Sequence, residues 1–302
     1  MHIGILSARS PRYHPNQRVI EAGSCLGHKV SVLHPKNCLS EIALGKVGLH
    51  IPAHLADMEV LLPRIGATIN EYALTMVRHF ELAGLPVING FQSILLARNK
   101  FLSLQSLAHH GIAVPDSYIV SNLKGFERAV AKLGGYPVVV KTLNSRQGKG
   151  VILAESSRTS EFIVDNVLNR RQGLLVQEFI SPHARRDIRA FVLGSQVIAS
   201  MELTPKNGDF RSNIHLKGEA SPVTLSKELE ALAIRSTKAL GLEISGTDIV
   251  VDGQGVARVI EVNYSPGFSG LEASTGLDIA AQIIRYVVQN HGGDHAHSLS
   301  NG

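Results

Sequence analysis

The apolar positions of this chain follow two rhythms. HIGILS, HKVSVLHP, EVLLPRIG and LPVING are short apolar runs of strand length, whereas QRVIEAGSCLG and EYALTMVRHFELAG repeat their apolar residues at helical spacing. This strand–helix–strand opening predicts a parallel α/β unit. FQSILLARNKFLSLQSLAHHG then carries one continuous helical pattern to Gly111, a helix-stopping residue. DSYIV, YPVVVK, GVILAES and LLVQEFIS predict strands around the helices LKGFERAVAKLGG and SEFIVDNVLNRRQ, giving a small α+β lobe. Further on, strands dominate: RDIRAFVLG, SQVIASMEL, TDIVVDG and VARVIEV. SKELEALAIRSTKALG is a helix among them, and the helix LDIAAQIIRYVVQNH follows them. The chain therefore divides into an α/β part (1–95), a central lobe (96–178), a second lobe (179–290) and a polar tail (291–302) expected to be disordered.

Composition adds bounds. The 302 residues are 44% hydrophobic and 18% charged, ample for one large domain or a few smaller ones. No apolar run reaches the ~18 residues of a membrane span, and MHIGILSARS does not resemble a signal peptide. Cys25 and Cys38 form no CxxC and no zinc spacing, so reduced thiols and a cytoplasmic location are expected. The net charge of +5 favours anionic partners such as nucleotides or acidic peptides. No RNP, KH or zinc-finger pattern points to sequence-specific nucleic-acid binding. The first strand–helix loop, ARSPRYHPNQ, lacks GxGxxG, so the dinucleotide fingerprint is missing.

Three stretches carry candidate chemistry. In YPVVVKTLNSRQGKGV, Lys141 ends an apolar run, and the following loop contains Gly148 and Gly150 before apolar residues resume. A strand, glycine loop and return strand make a hairpin flap whose N–H groups can approach phosphate oxygens, with the lysine as a point charge. The same pattern also fits an ordinary exposed hairpin. In LVQEFI, Glu178 follows a buried strand. Backbone groups there can bond an adenine edge while Phe179 and Ile180 cover its face, although a plain surface carboxylate fits as well. In TDIVVDGQGVARVIEVNYSPG, Glu261 and Asn263 share one strand face, and the DGQG turn returns the chain to Asp248. A two- or four-residue loop puts all three on one face; a three-residue loop needs a bulge to do so. Two carboxylates and an amide on one patch suit Mg²⁺, which takes few protein ligands; a solvated polar face has the same alternation. Arg211 and Asn213 share one side of GDFRSN, as Asp187 and Arg189 do of RRDIR, and a guanidinium fork suits phosphate or carboxylate oxygens. The glycine loop follows the lysine and HRD is missing, which excludes a protein kinase.

Together these segments resemble an ATP-grasp ligase of the RimK family, through LLPRIG, VVVK, LVQEFI, RDIR, GDFRSN and EVNYSPG with its downstream GLE and TGLDIA. The resemblance spans nearly the whole chain and implies an ATP-grasp fold behind a Rossmann-like pre-ATP-grasp domain. It implies that Lys100 and Lys141 hold ATP phosphates, with Gly148 and Gly150 in the flap. Glu178 and Phe179 would lie at the adenine, and Asp187 on the ribose side. Arg211, Ser212 and Asn213 would face the phosphates, with Arg211 and Asn213 at the reacting acyl group. Asp248, Glu261 and Asn263 would ligate Mg²⁺ or Mn²⁺, with two ions expected. The implied reaction phosphorylates a carboxylate with ATP and then forms an amide. The implied partners are L-glutamate or another amino acid and the acidic C-terminus of a ribosomal protein or another carboxylate acceptor, within a homo-oligomer. Related ligases of lysine biosynthesis or cofactor polyglutamylation use small-molecule or carrier acceptors. The sequence departs from the family at Ser145, Asn99 and the stretches ELTPKNGDF and HLKGEA, which leaves the acceptor open. A nucleotide-binding regulator and a ribosome-associating protein are the non-ligase alternatives.

Overall fold

The computed structural model describes residues 1–66, 70–143, 150–168, 172–204 and 219–292. In chain order the first elements are β1 (His2–Leu6), α1 (His14–Cys25), β2 (Lys29–Leu33), β3 (Leu39–Ala43), β4 (Lys46–His50), β5 (Val60–Pro63) and α2 (Glu71–Leu82). β2, β1 and β5 form a parallel sheet in that order, as the opening pattern predicts. LPVING contributes a single parallel bridge, Leu61 to Val87, rather than a strand. The β3–β4 hairpin is an addition that the pattern did not suggest.

The expected long helix is two helices, α3 (Phe91–Arg98) and α4 (Lys100–His109). Asn99 adopts extended backbone between them, and its Oδ1 accepts the N–H groups of Phe101 and Leu102 at 3.0 and 3.1 Å. Capping of new orphan donors by an amide outweighs continuation of the apolar pattern.

β6 (Ser117–Val120), α5 (Leu123–Lys132), β7 (Val138–Thr142), β8 (Val151–Ala154), α6 (Ser157–Asn166) and β9 (Leu174–Glu178) build the small lobe. Its antiparallel sheet has the order β6-β9-β7-β8. Phe126 and Val130 of α5 pack with Val138, Val140, Leu174 and Val176 in a separate apolar cluster. Each fully buried side chain of this kind contributes about 1.5–3 kcal/mol.

The last part comprises β10 (Arg186–Leu193), β11 (Gln196–Thr204), β12 (Glu219–Pro222), α7 (Lys227–Ala239), β13 (Ile244–Val251), β14 (Ala257–Asn263), α8 (Ser269–Thr275) and α9 (Ile279–His291). Its sheet is β12-β11-β10-β13-β14, antiparallel throughout. One apolar cluster joins Ile3, Ile5 and Val19 to Phe268, Ile283 and Ile284, so the first sheet and the last lobe share a core. Arg18 on α1 adds hydrogen bonds to Glu272 on α8 (3.1 Å) and to Asp278 (3.0 Å). The helix α9 runs through His291, where the polar tail was expected to begin. The tail from 293, with Gly148, Arg211, Ser212 and Asn213, lies outside the described residues.

Candidate active site

The β13–β14 hairpin brings Asp248, Glu261 and Asn263 together. The Asp252 N–H donates to the Val256 carbonyl at 3.1 Å, closing a tip of residues 253–255. Asp252 Oδ1 also accepts the Gln254 and Val256 N–H groups, both at 2.9 Å, and Gly255 takes a positive φ of 82° that glycine adopts without strain. An odd tip alone would set Asp248 opposite residue 260. A register shift between Asp248 and Ile249 instead sets Asp248 opposite Glu261. This is the bulge that a three-residue loop requires.

On the other side of β13, Arg189 of β10 stands opposite Asp248. Arg189, Asp248 and Glu261 therefore form one row across three strands, on one face. Arg189 donates from Nε to Asp248 Oδ1 (2.6 Å) and from its second amino nitrogen to Oδ2 (2.7 Å). Burial weakens the guanidinium charge, but Asp248 more than offsets it and raises the Arg189 pKa above the usual arginine value. Asn263 Nδ2 makes long contacts of 3.4 Å with Asp248 Oδ2 and the Gly246 carbonyl.

Two lysines face this row. Lys100 opens α4 directly after the Asn99 cap, and its Nζ donates to Glu261 Oε1 at 3.1 Å. Its own N–H donates to the Leu143 carbonyl, tying the helix start to the end of β7. Burial pushes the Glu261 carboxyl up, but the charges of Lys100, Lys141 and Arg189 outweigh burial and hold it below the usual glutamate value. Glu261 is therefore ionised at neutral pH. Lys141 Nζ donates to Gln177 Oε1 at 2.6 Å, and Gln177 Nε2 in turn donates to Ser117 Oγ at 2.8 Å. Burial first, then repulsion from Lys100, pulls the Lys141 pKa down to about 8. The Gly150 carbonyl accepts the Thr142 N–H at 3.0 Å; residues 144–149 between them lie outside the described residues.

The crossing after β9 is tied on both sides. Glu178 Oε1 accepts the Asp116 N–H at 3.0 Å and lies 3.4 Å from Arg258 Nε. Its carboxylate is thus part of the crossing's own framework, and Phe179 follows half-buried. Asp187 is buried and accepts from Arg185 Nε at 2.9 Å, while Arg185 also donates to the Ile180 carbonyl.

Two contributors were not singled out from sequence as site residues: Gln177, which orients Lys141, and Arg185, which holds Asp187; Arg189 was expected beside Asp187 on RRDIR, but its partner in the structure is Asp248. Gln177 did carry a signal, as the one amide in the otherwise apolar start of LLVQEF. Among the described residues no group of three or more His, Cys, Asp or Glu could hold a metal ion. The donor set is two carboxylates and one amide, hard oxygen donors of the kind and small number that Mg²⁺ accepts.

A cationic pair over an acidic sheet row, beside a small lobe with its own core, agrees with the ATP-grasp resemblance. The pattern of the RimK-like ATP-grasp domain matches residues 97–287, and that of the RimK PreATP-grasp domain matches residues 1–94. The chain belongs to this family and is an ATP-dependent ligase. It is 38% identical over 291 residues to a probable alpha-L-glutamate ligase of Thioalkalivibrio sulfidiphilus, covering 96% of each chain. A RimK domain protein ATP-grasp from Sphaerobacter thermophilus superposes with a TM-score of 0.74 at 25% identity, over 95% of this chain and 99% of that one. The ATP-grasp ligase PsnB complexed with minimal precursor, Mg and ADP superposes with a TM-score of 0.73 at 18% identity, over 95% and 96% of the two chains. Among the described residues no helix is long and apolar enough to cross a membrane.

Proposed function

We propose that the protein joins L-glutamate to the C-terminal carboxylate of a ribosomal protein through an acyl phosphate. The observation that carries this reading is the convergence of Lys100 and Lys141 on the row of Asp248 and Glu261. The glutamate assignment is supported by the relative named a probable alpha-L-glutamate ligase, and a peptide acceptor by the precursor-bound ligase of the same fold.

In this reading Lys100 and Lys141 bind the ATP phosphates, the backbone after β9 and the Phe179 ring hold the adenine, and Asp187 lies on the ribose side. Asp248, Glu261 and Asn263 hold Mg²⁺ or Mn²⁺, which supplies charge neutralisation at the phosphates when bound. Arg211, Ser212 and Asn213 complete the phosphate side, with Arg211 and Asn213 at the acyl group. A carboxylate oxygen of the acceptor attacks the γ-phosphorus, and the bond to the ADP oxygen breaks. The glutamate amine then attacks the acyl carbon, phosphate leaves, and the amine proton passes to phosphate or water. Fixed cations stabilise the charge that develops on the transferring phosphoryl group. The flap containing Gly148 and Gly150 excludes water, which would hydrolyse the acyl phosphate.

The test is an ADP-release screen across amino acids and acceptors, followed by mass spectrometry. A gain of glutamate units on an acidic C-terminus supports the proposal. ADP release with another amino acid, or with a small-molecule or carrier acceptor, replaces it by that ligase. Release that needs neither substrate refutes it.

A further inference from the structure

Arg64 is a charged residue that the nucleotide and metal roles leave unused. It is the first residue after β5, and Ser7 is the first after β1. The two strands are parallel neighbours with Leu6 opposite Pro63, and Ser7 Oγ donates to the Arg64 carbonyl at 3.3 Å. From β1 the chain turns through α1 to β2 on one side of the sheet, whereas β5 lies on the other. The gap between the ends of β1 and β5 is thus the switch point of the sheet. In open α/β sheets, ligands bind in the crevice outside the carboxyl ends of the strands at that point.

Among the described residues, no anion adjoins Arg64. Its second amino nitrogen donates to the Pro266 carbonyl at 2.6 Å, its guanidinium lies 5.7 Å from the centre of the Phe268 ring, and its Nε is buried without a hydrogen-bond partner. No carboxylate pairs with it among the described residues. The residue is half-buried rather than sealed. Burial alone pulls its pKa down to about 10. A desolvated cation without a counter-ion is destabilising, and an unsatisfied buried polar group calls for a specific cause. Arg9 and Arg12, both exposed on the loop leaving β1, add positive charge at the same edge of the sheet.

The position also relates to the reaction. Pro266, which Arg64 grips, folds over Gly246, where an added Cβ would lie 2.8 Å from the proline Cβ. Gly246 is the register partner of Asn263. Arg64 therefore abuts the loop that leaves the acidic row, on the side of the first sheet.

We propose that Arg64 anchors a substrate carboxylate other than the one that is phosphorylated, in the crevice between the ends of β1 and β5. The ligase reading supplies two sources for such a group: the free carboxylates of the incoming amino acid, and the acidic side chains of the acceptor. A guanidinium fork suits either.

Calorimetric titration of the full-length protein, with ADP and Mg²⁺ present, distinguishes them. The probes are L-glutamate and, separately, a peptide ending in two glutamates. Arg64→Met is expected to weaken one probe roughly tenfold to a hundredfold, the worth of a charged hydrogen bond, and to leave ADP affinity unchanged. A loss for glutamate assigns Arg64 to the amino acid; a loss for the peptide assigns it to the acceptor. Arg64→Lys keeps the charge without the fork and is expected to weaken the same probe less. Unchanged affinity for both probes in folded Arg64→Met overturns the proposal, as does wild-type protein that binds neither. ADP release independent of amino acid and acceptor refutes the ligase reading alone, because the binding shift is measured without turnover.

Discussion

Arg189 and Asp248 meet through two parallel hydrogen bonds from facing positions on β10 and β13, at 2.6 and 2.7 Å. Each carboxylate oxygen has two acceptor directions, so the pair leaves one direction on Oδ1 for another ligand, while Oδ2 also takes the long 3.4 Å contact from Asn263 Nδ2. Arg189 fixes the rotamer in which Asp248 presents that direction. The acidic row is in this sense preorganised from the neighbouring strand.

The two carboxylates are therefore expected to respond differently to neutralisation. Glu261→Gln removes one charge from a partly exposed pair with Lys100 and should leave the unfolding midpoint close to wild type. Asp248→Asn strands the Arg189 guanidinium and should cost on the order of 2–3 kcal/mol, below the range for fully buried pairs. Both should abolish amide formation, with a loss of at least about a hundredfold in kcat. Turnover assays at saturating magnesium, with urea titrations alongside, check both halves. Unchanged turnover in either variant would refute the metal assignment.

Lys141 should confer a pH dependence on nucleotide binding. With its pKa lowered to about 8, the amine is charged at pH 7 and largely neutral at pH 9 in the free protein. Phosphates favour the charged form. ATP affinity should accordingly be highest below pH 8 and fall as the pH rises through it, with proton uptake on binding at the higher pH. Calorimetry in buffers of different ionisation enthalpy measures that uptake. Lys141→Met should bind ATP more weakly and show none of the uptake.

Asn99→Ala removes the cap between α3 and α4 and should cost about 1 kcal/mol. It should also raise the KM for ATP, because the cap sets the direction in which Lys100 leaves the helix. Asn99→Asp, another good cap, should restore stability. Denaturant midpoints and ATP kinetics of the two variants separate the stability effect from the positioning effect.

Gly246→Ala places a methyl group 2.8 Å from Pro266 Cβ. Overpacking of this kind costs about 1–3 kcal/mol. Relief requires the loop after Asn263 to move, so activity should fall further than stability alone explains. Urea titration and kcat/KM for both substrates would show the two losses.

The alternation of Glu261 and Asn263 was legible because strand side chains have a period of two and the DGQG turn is short. The parallel opening unit was legible for the same reason. The β3–β4 hairpin was not, since its tip is Leu44–Gly45, both at positive φ, and leucine gives no turn signal. The break at Asn99 was hidden inside an unbroken apolar rhythm, where one cap residue decided against propensity. The pairings of Gln177, Arg189 and Arg64 were not legible for another reason. Their partners lie 36, 59 and 202 positions away in the chain, and local spacing carries no record of such pairings.

The bulge beside Asp248 couples two lengths that would otherwise drift apart over evolution. A single insertion or deletion at the 253–255 tip would turn Glu261 to the opposite face of the sheet unless a second indel erased the irregularity. Tip length and bulge are therefore expected to covary among relatives, so that a one-residue gap in an alignment here signals a compensated change rather than a tolerated one.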